Sequence, residues 1–460
     1  MKVFPGFLVL GLSMAVSTAM PQQQGSGLPS QDTAGSAYVE FYIPQDQWHG
    51  YCLPVDYSLT VPFTSLYINM ERYDEPAHQW VAVPSSPGDT VLSVPMRGYR
   101  IWSGSQSTPQ NVVGVAGHLN TGFLVAEVTN SPFAETGDGM NLVGNPYPSA
   151  VNWYMVGLVN VDPTLYVFSP AWNNYLFWNR VTNVHSEICR FIIPAMQGFF
   201  VHCSAQYPET GQVIMANSCR LHDDGQIYEG ELSYDNILTI NAYGNGFRDE
   251  SFIWMSDTAG LGFDGGLDAV KIPGEEEAPQ LFSIIEGGVH AALNVRPWKW
   301  PVPKADLGFR IGVAGTDTLV FSGTESFPDT VEIWLEDKQD QHFQLLNEDP
   351  EYIFTTSPED DPGRFAIWFC QPMTAIGDPG RDPVSVWSFE GKVYVDLTRS
   401  QGPVARSLAL YDLAGRKAFT VSLSGGILNV FSPGLTDGYY VALITSGEKV
   451  SAHKLFLKSG

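Results

Sequence analysis

The chain has 460 residues, 44% of them hydrophobic and 16% charged, which supplies enough apolar material for packed cores and excludes wholesale disorder. Its formal net charge is −25. A surface of that sign repels nucleic acid, which is gripped through Lys and Arg; it disfavours an anionic membrane and suits cations, basic partners or plain solubility.

Lys2 precedes an apolar run from Phe7 to Val16 that is too short to span a bilayer. Ser17-Thr18-Ala19 follows with small residues, so residues 1–19 are expected to be a signal peptide cleaved after Ala19. Residues 20–38 are rich in Gln, Ser, Gly and Pro and read as a flexible leader.

Short strand-like runs then continue to the end. Tyr38–Ile43, Gln79–Val83 and Gly122–Val128 come first, then Asn236–Asn241, Thr318–Phe321 and Thr330–Leu335. The chain has 45 Gly, 32 Pro and 20 Tyr, and no stretch sustains helical apolar spacing. The expected fold class is all-β, with tandem antiparallel β-sandwich modules of jelly-roll or immunoglobulin-like type. An aromatic-rich β domain is placed at 39–225 and a β-sandwich domain at 226–376. The Pro/Gly/Asp stretch 377–383 is a linker before a last module at 384–460. Charge changes there: residues 381–460 carry +3 and the rest −28.

Five cysteines, Cys52, Cys189, Cys203, Cys219 and Cys370, occur without a Cys-x-x-Cys pair. Export permits a disulfide among Cys189, Cys203 and Cys219, and buried free thiols fit the sequence equally. No nucleophile elbow, zincin motif or phosphate-cradling loop is present. Cys203 beside His202 follows an apolar run and reads as buried, so no catalytic residue is assigned. Asp257, Asp264 and Asp268 in a Gly-rich loop are candidate calcium ligands, since calcium favours hard oxygens; Asp and Gly also build turns without metal. Trp298 and Trp300 are candidate sugar-stacking residues, with a core plug as the alternative.

The final module alternates cleanly. Lys392–Leu397, Ser407–Tyr411, Phe419–Leu423, Tyr439–Ile444 and Lys454–Lys458 read as strands of a sandwich of about seven short strands. Leu410-Tyr-Asp-Leu-Ala-Gly-Arg416, Gly434-Leu-Thr-Asp-Gly-Tyr-Tyr-Val441 and Lys454 resemble the C-terminal sorting domain of the Bacteroidetes type IX secretion system, in a type A-like form. The opening Val384-Ser-Val-Trp-Ser-Phe departs from the Pro-Asn-Pro start common in that family. The resemblance implies that Tyr411, Asp412, Gly415, Arg416, Gly438, Tyr440 and Lys454 belong to a sorting motif. It implies the secretion machinery and its sortase as partners, removal of the module, and attachment to surface lipopolysaccharide or release. Met96–Trp102, Asn141–Trp153 and Ile193–Val201 resemble segments of large surface proteins of the same bacterial group, and Phe263–Lys271 and Arg364–Trp368 resemble the sandwich that often precedes the sorting domain. Asp-Thr triplets at Thr33, Thr90, Thr258, Thr318 and Thr330 resemble O-glycosylation acceptors of that group.

The expected function is an exported cell-surface or released structural or adhesion-type protein, with a glycan or host protein as partner and no cofactor beyond calcium. The alternatives are a secreted carbohydrate-binding protein, or a secreted hydrolase of peptides or glycans with its site in 39–225.

Overall fold

The computed structural model describes residues 16–18, 37–56, 68–83, 94–104, 112–131, 139–205, 209–221, 234–298, 304–370, 384–389, 391–397, 406–412, 415–424, 428–446 and 449–458. The protein is all-β: among the described residues the helical elements are three-residue 3-10 turns at Trp153–Met155, Asn217–Cys219 and Thr324–Ser326. None is long and apolar enough to cross a membrane. Val16–Thr18 pairs antiparallel with Ala37–Val39, and Ala37–Tyr42 pairs with Val112–Gly117. The leader and the 377–383 linker lie outside the described residues, apart from residues 37 and 38 of the leader.

The first unit contains a duplication. Trp48–Cys52, Gly98–Ser103, Ile68–Asp74 and Gln79–Ala82 form a four-stranded sheet in that order. Met140–Gly144, Gly198–Cys203, Val161–Ser169 and Asn174–Asn179 form a second with the same connectivity. Cys52 pairs with Gly98 as Gly144 pairs with Gly198. The copies meet about a pseudo-two-fold axis: Cys52 N–H donates to the Met196 carbonyl at 2.7 Å, and Gly144 N–H donates to the Met96 carbonyl at 3.0 Å. The bridges Tyr51–Gln197 and Arg97–Val143 are related in the same way. Met96 and Met196, both fully buried, adopt φ of 64° and 62°, left-handed values uncommon for non-glycine residues. Glycine is required where the copies touch, because a Cβ on Gly50 would lie 2.7 Å from the Gly198 carbonyl oxygen. Asn145, fully buried, seals this junction: its amide donates to the carbonyls of Ser149, Ile193 and Pro194, and its Oδ1 accepts from Tyr147 N–H.

The second unit is one long sheet rather than two separate ones. Its order runs His342–Leu345, Glu332–Asp337, Phe365–Cys370, Lys304–Arg310, Gln280–Ile284, His290–Arg296, Phe247–Met255, Ile237–Gly244, Gly315–Ser322, Glu351–Thr356. The sheet curls until its two ends share a core. Tyr352 and Phe354 from one end strand meet Ile333, Leu335 and Phe365 near the other, with the Phe354 and Phe365 rings 5.0 Å apart. The sandwich expected from short alternating strands is thus made by one sheet closing on itself, which strand twist favours.

A continuous apolar core crosses the boundary at 225/226: Met140, Tyr166, Phe177 and Phe200 pack with Phe252, Leu293 and Val295. Asn174 reinforces it by donating to the carbonyls of Arg248 and Pro279.

Among the described residues the terminal module is a two-sheet sandwich of seven strands. Ser385–Phe389, Lys392–Asp396 and Leu428–Phe431 form one sheet; Lys417–Leu423, Arg406–Asp412, Gly438–Ser446 and Lys449–Leu457 form the other. Val393, Val395, Leu408, Leu410, Ala442, Ile444 and Leu455 fill the core between them. The module is also docked. Trp387, Phe389 and Tyr394 join Trp334, Leu345, Ala366, Trp368 and Cys370 in a shared apolar cluster, with Trp368 edge-on to Phe389 at 4.8 Å and Trp387 stacked on Tyr394 at 5.5 Å. This explains why every residue of Phe365–Cys370 is buried: Phe365, Ile367 and Phe369 face the second unit's core, and Ala366, Trp368 and Cys370 face the module.

Candidate functional site

The duplicated strands place an aromatic slot beside the pseudo-two-fold junction. Trp48, Trp80 and Arg100 come from the first copy, Phe168, Tyr175 and Phe200 from the second, and Glu275 from the second unit closes the rim. The Arg100 guanidinium lies between two indoles, 4.2 Å from the Trp48 centroid and 3.9 Å from the Trp80 centroid. Such contacts stabilise by about 0.5–2 kcal/mol each. Its Nε and Nη2 both donate to Glu71, at 2.6 and 2.5 Å, so the charge is neutralised within the slot. Tyr73 and Phe200 support Trp80 edge-on at 5.3 and 5.9 Å, and Tyr175 meets Phe168 at 5.2 Å. Trp48, Trp80, Phe168 and Tyr175 remain half-buried, each with surface to offer a ligand. Burial lowers the pKa of His49 to about 4, leaving a neutral ring at neutral pH, and its buried Nε2 has no hydrogen-bond partner. The enclosed space, about 20 Å³, admits one water. A ligand must therefore lie across the aromatic rim rather than sink into it. The arrangement offers flat apolar faces, a neutral imidazole and a carboxylate rim, which suit recognition of a polar ring with an apolar face.

The sequence signals for this slot were partial. Met96–Trp102, Asn141–Trp153 and Ile193–Val201 stand out in the sequence, and the structure brings all three to one junction. Trp48 and Trp80 lie in separate local contexts. The signal that could have joined them is the internal repetition of Met96-Arg-Gly-Tyr99 in Met196-Gln-Gly-Phe199.

The sequence-predicted platform is elsewhere. Trp298, half-buried, packs against the second unit's core with its ring 6.1 Å from that of Phe327; Trp300 lies outside the described residues.

The structure does not bring the three aspartates together. Asp268, buried, accepts from the backbone N–H of Asp264 and of Val295, both at 2.7 Å, and burial pushes its carboxyl up to about 6. Asp264 Oδ1 accepts from Gly266 N–H at 2.9 Å, and Asp257 is exposed. Among the described residues no three His, Cys, Asp or Glu side chains converge as a metal-holding group. Asp268 ties the loop to the strand His290–Arg296 and Asp264 braces the loop itself, because short acidic side chains satisfy backbone N–H groups.

All five cysteines are buried and stand outside disulfides; burial raises the thiol pKa of Cys52 to about 12 and also raises those of Cys203 and Cys370. No disulfide joins Cys189, Cys203 or Cys219. Along Gly198–Cys203 successive side chains alternate sides. His202 reaches Asp162 at 2.5 Å, while Cys203 lies in the first unit's core and donates to the Val128 carbonyl. The two do not form a catalytic pair.

In the terminal module the motif residues gather at two turns and one edge. Asp412 caps its hairpin: its carboxylate accepts from Arg416 N–H at 2.9 Å and Nε at 2.8 Å, and Gly415 takes φ of 80°. Tyr411 sits on the same hairpin, with the Lys417 ammonium 5.7 Å from its ring. Tyr440, buried, donates its hydroxyl to the Thr436 carbonyl at 2.9 Å, fixing the turn before Gly438. Lys454 is exposed with its ammonium 4.5 Å over the Tyr439 ring. Of the Asp-Thr acceptors, Thr258 and Thr330 are exposed and Thr318 is half-buried; Thr33 and Thr90 lie outside the described residues.

No curated protein matches the chain. A solved structure described as "Biofilm associated protein - BSP domain" is similar at 9% identity over 100% of both chains, with a TM-score of 0.17, a level that carries no argument. Residues 74–369 match the family described as Domain of unknown function (DUF8693). The match runs through both units, across their shared core, and stops ahead of the linker. With well over half of its length matched, the chain belongs to the DUF8693 family.

Proposed function

We propose that this protein is an exported, non-catalytic adhesion-type protein of the bacterial surface, sorted outward by its terminal module. The observation that carries the reading is the module itself. It has its own seven-strand core, and its charge differs from the acidic remainder of the chain. It presents the Asp412–Arg416 hairpin and Lys454 at its surface. A self-sufficient sandwich with exposed motif turns is what a secretion machine would need to grip without unfolding the protein it carries. Under this reading the secretion machinery and its sortase are the partners of 384–460, and lipopolysaccharide is the attachment point at the surface.

The aromatic slot favours a second, compatible reading: contact with a saccharide through Trp48 and Trp80. Export is tested by expressing the full chain and a chain ending at Pro383 in a Bacteroidetes host. Surface or medium localisation of the first and periplasmic retention of the second are expected; equal export of both overturns the sorting role. The saccharide reading is tested on a glycan array, where Trp80→Ala should abolish any signal that the intact protein gives.

A further inference from the structure

The docked module creates a cleft of about 660 Å³ at its seam with the second unit, within the size range of small-ligand sites. Lys304, Glu336, Lys338 and Gln341 line one wall; Lys392 and Ser432 line the other. In a chain of net charge −25, three ammonium groups on one cleft are out of keeping with the rest of the surface. Lys304 and Lys338 both reach the same Asp306 oxygen, each at 3.0 Å, so one carboxylate serves two cations. The other acid, Glu336, accepts from Trp368 Nε1 at 2.8 Å. Lys392, exposed, adds a third positive charge from the module side. A cleft with excess positive charge inside an acidic surface focuses anions, because the surrounding field repels them everywhere else.

We propose that this seam binds an acidic oligosaccharide. Its carboxylates would be held by Lys338 and Lys392 and its hydroxyls by Gln341 and Ser432. The size of the cleft and its neutral hydrogen-bonding groups favour a sugar acid over a lone inorganic anion. Because the walls belong to different modules, the site belongs to the uncleaved chain with its terminal module docked, before the removal proposed above, and the ligand would tighten that docking by mass action.

The test uses the full chain and isothermal titration with a galacturonic-acid oligomer, a neutral galactose oligomer of equal length, and inorganic phosphate. Binding of the acidic oligomer alone is expected, weakening at least tenfold between 50 and 300 mM salt in order-of-magnitude terms. Lys338→Gln with Lys392→Gln should cost roughly another tenfold. Both side chains are exposed, so the double variant should keep the parent's unfolding midpoint, separating lost binding from lost fold. Equal binding of the neutral oligomer, tighter binding of phosphate, no binding at all, or acidic-oligomer binding untouched by the double variant would each overturn the proposal.

Discussion

Arg364 is the buried charge whose loss should be felt most. Its side chain is 2% exposed and that of its partner Asp337 is 0% exposed. Nε and Nη2 grip Asp337 at 2.9 and 2.6 Å, Nη2 also reaches Asp340 at 2.8 Å, and Nη1 donates to the Thr355 carbonyl at 2.8 Å. Tyr352 donates to the same Asp337 carboxylate at 2.8 Å. The cluster ties the two sides of the curled sheet together, since Thr355 lies on one end strand and Asp337 on the strand next to the other end. Arg364→Met strands a buried carboxylate and should cost about 3–5 kcal/mol, a drop in Tm of roughly 6–20 °C for a cooperative unit of this size. Asp337→Asn added to Arg364→Met removes the stranded charge and should recover part of the loss. Burial alone would raise the Asp337 pKa, but the bonds from Arg364 and Tyr352 outweigh it and hold the carboxyl below its ordinary 3.8. The associated stability is therefore present above that value and lost as pH falls through the lower folded pKa. Thermal denaturation of the three proteins at pH 7 and pH 3 reads both effects. An Arg364→Met midpoint within 2 °C of the parent would refute the reasoning.

Glu250 predicts the opposite pH dependence. Burial pushes its carboxyl from 4.5 to about 7, so the folded state holds a proton that the unfolded state lacks between those values, and stability should rise as pH falls from 8 to 5. The gain is on the order of 3 kcal/mol. Glu250→Gln should flatten the difference between urea midpoints at the two pH values; an unchanged difference contradicts the assignment. A protease site placed within 377–383 tests the docking: after cutting, the module should co-elute with the rest of the chain in gel filtration, and Tyr394→Ala should release it. Separation of the cut parent would show that the linker, rather than the aromatic cluster, holds the module.

Alternation made the strands legible. Lys392–Leu397 reads directly as a half-buried strand, and the structure places it at Lys392–Asp396. The seven-strand sandwich at the end of the chain was legible for the same reason, since most of its strands bury one face. Phe365–Cys370 was less so, because burial on both faces erases the period of two. The curling of the second sheet could not be read, since it depends on contacts between Phe354 and Phe365 that no local pattern encodes. Asp268 shows why such a loop is ambiguous in sequence: a Gly-rich loop with three aspartates suits a cation, and its carboxylate satisfies backbone N–H groups equally well. Trp298 could be read from sequence as a stacking face or as a plug, and the structure packs it beside Phe327. The slot around Arg100 was hidden by distance, with Trp48, Trp80 and Tyr175 brought together by the duplication.

The central claim is that the terminal module is an outward address rather than a permanent domain. The most direct measurement is mass mapping of the C-terminus of the protein recovered from the cell surface or medium of a Bacteroidetes host. The account predicts a terminus within 377–383, with residues 384–460 no longer covalently attached. A surface form that ends at Gly460 would contradict it.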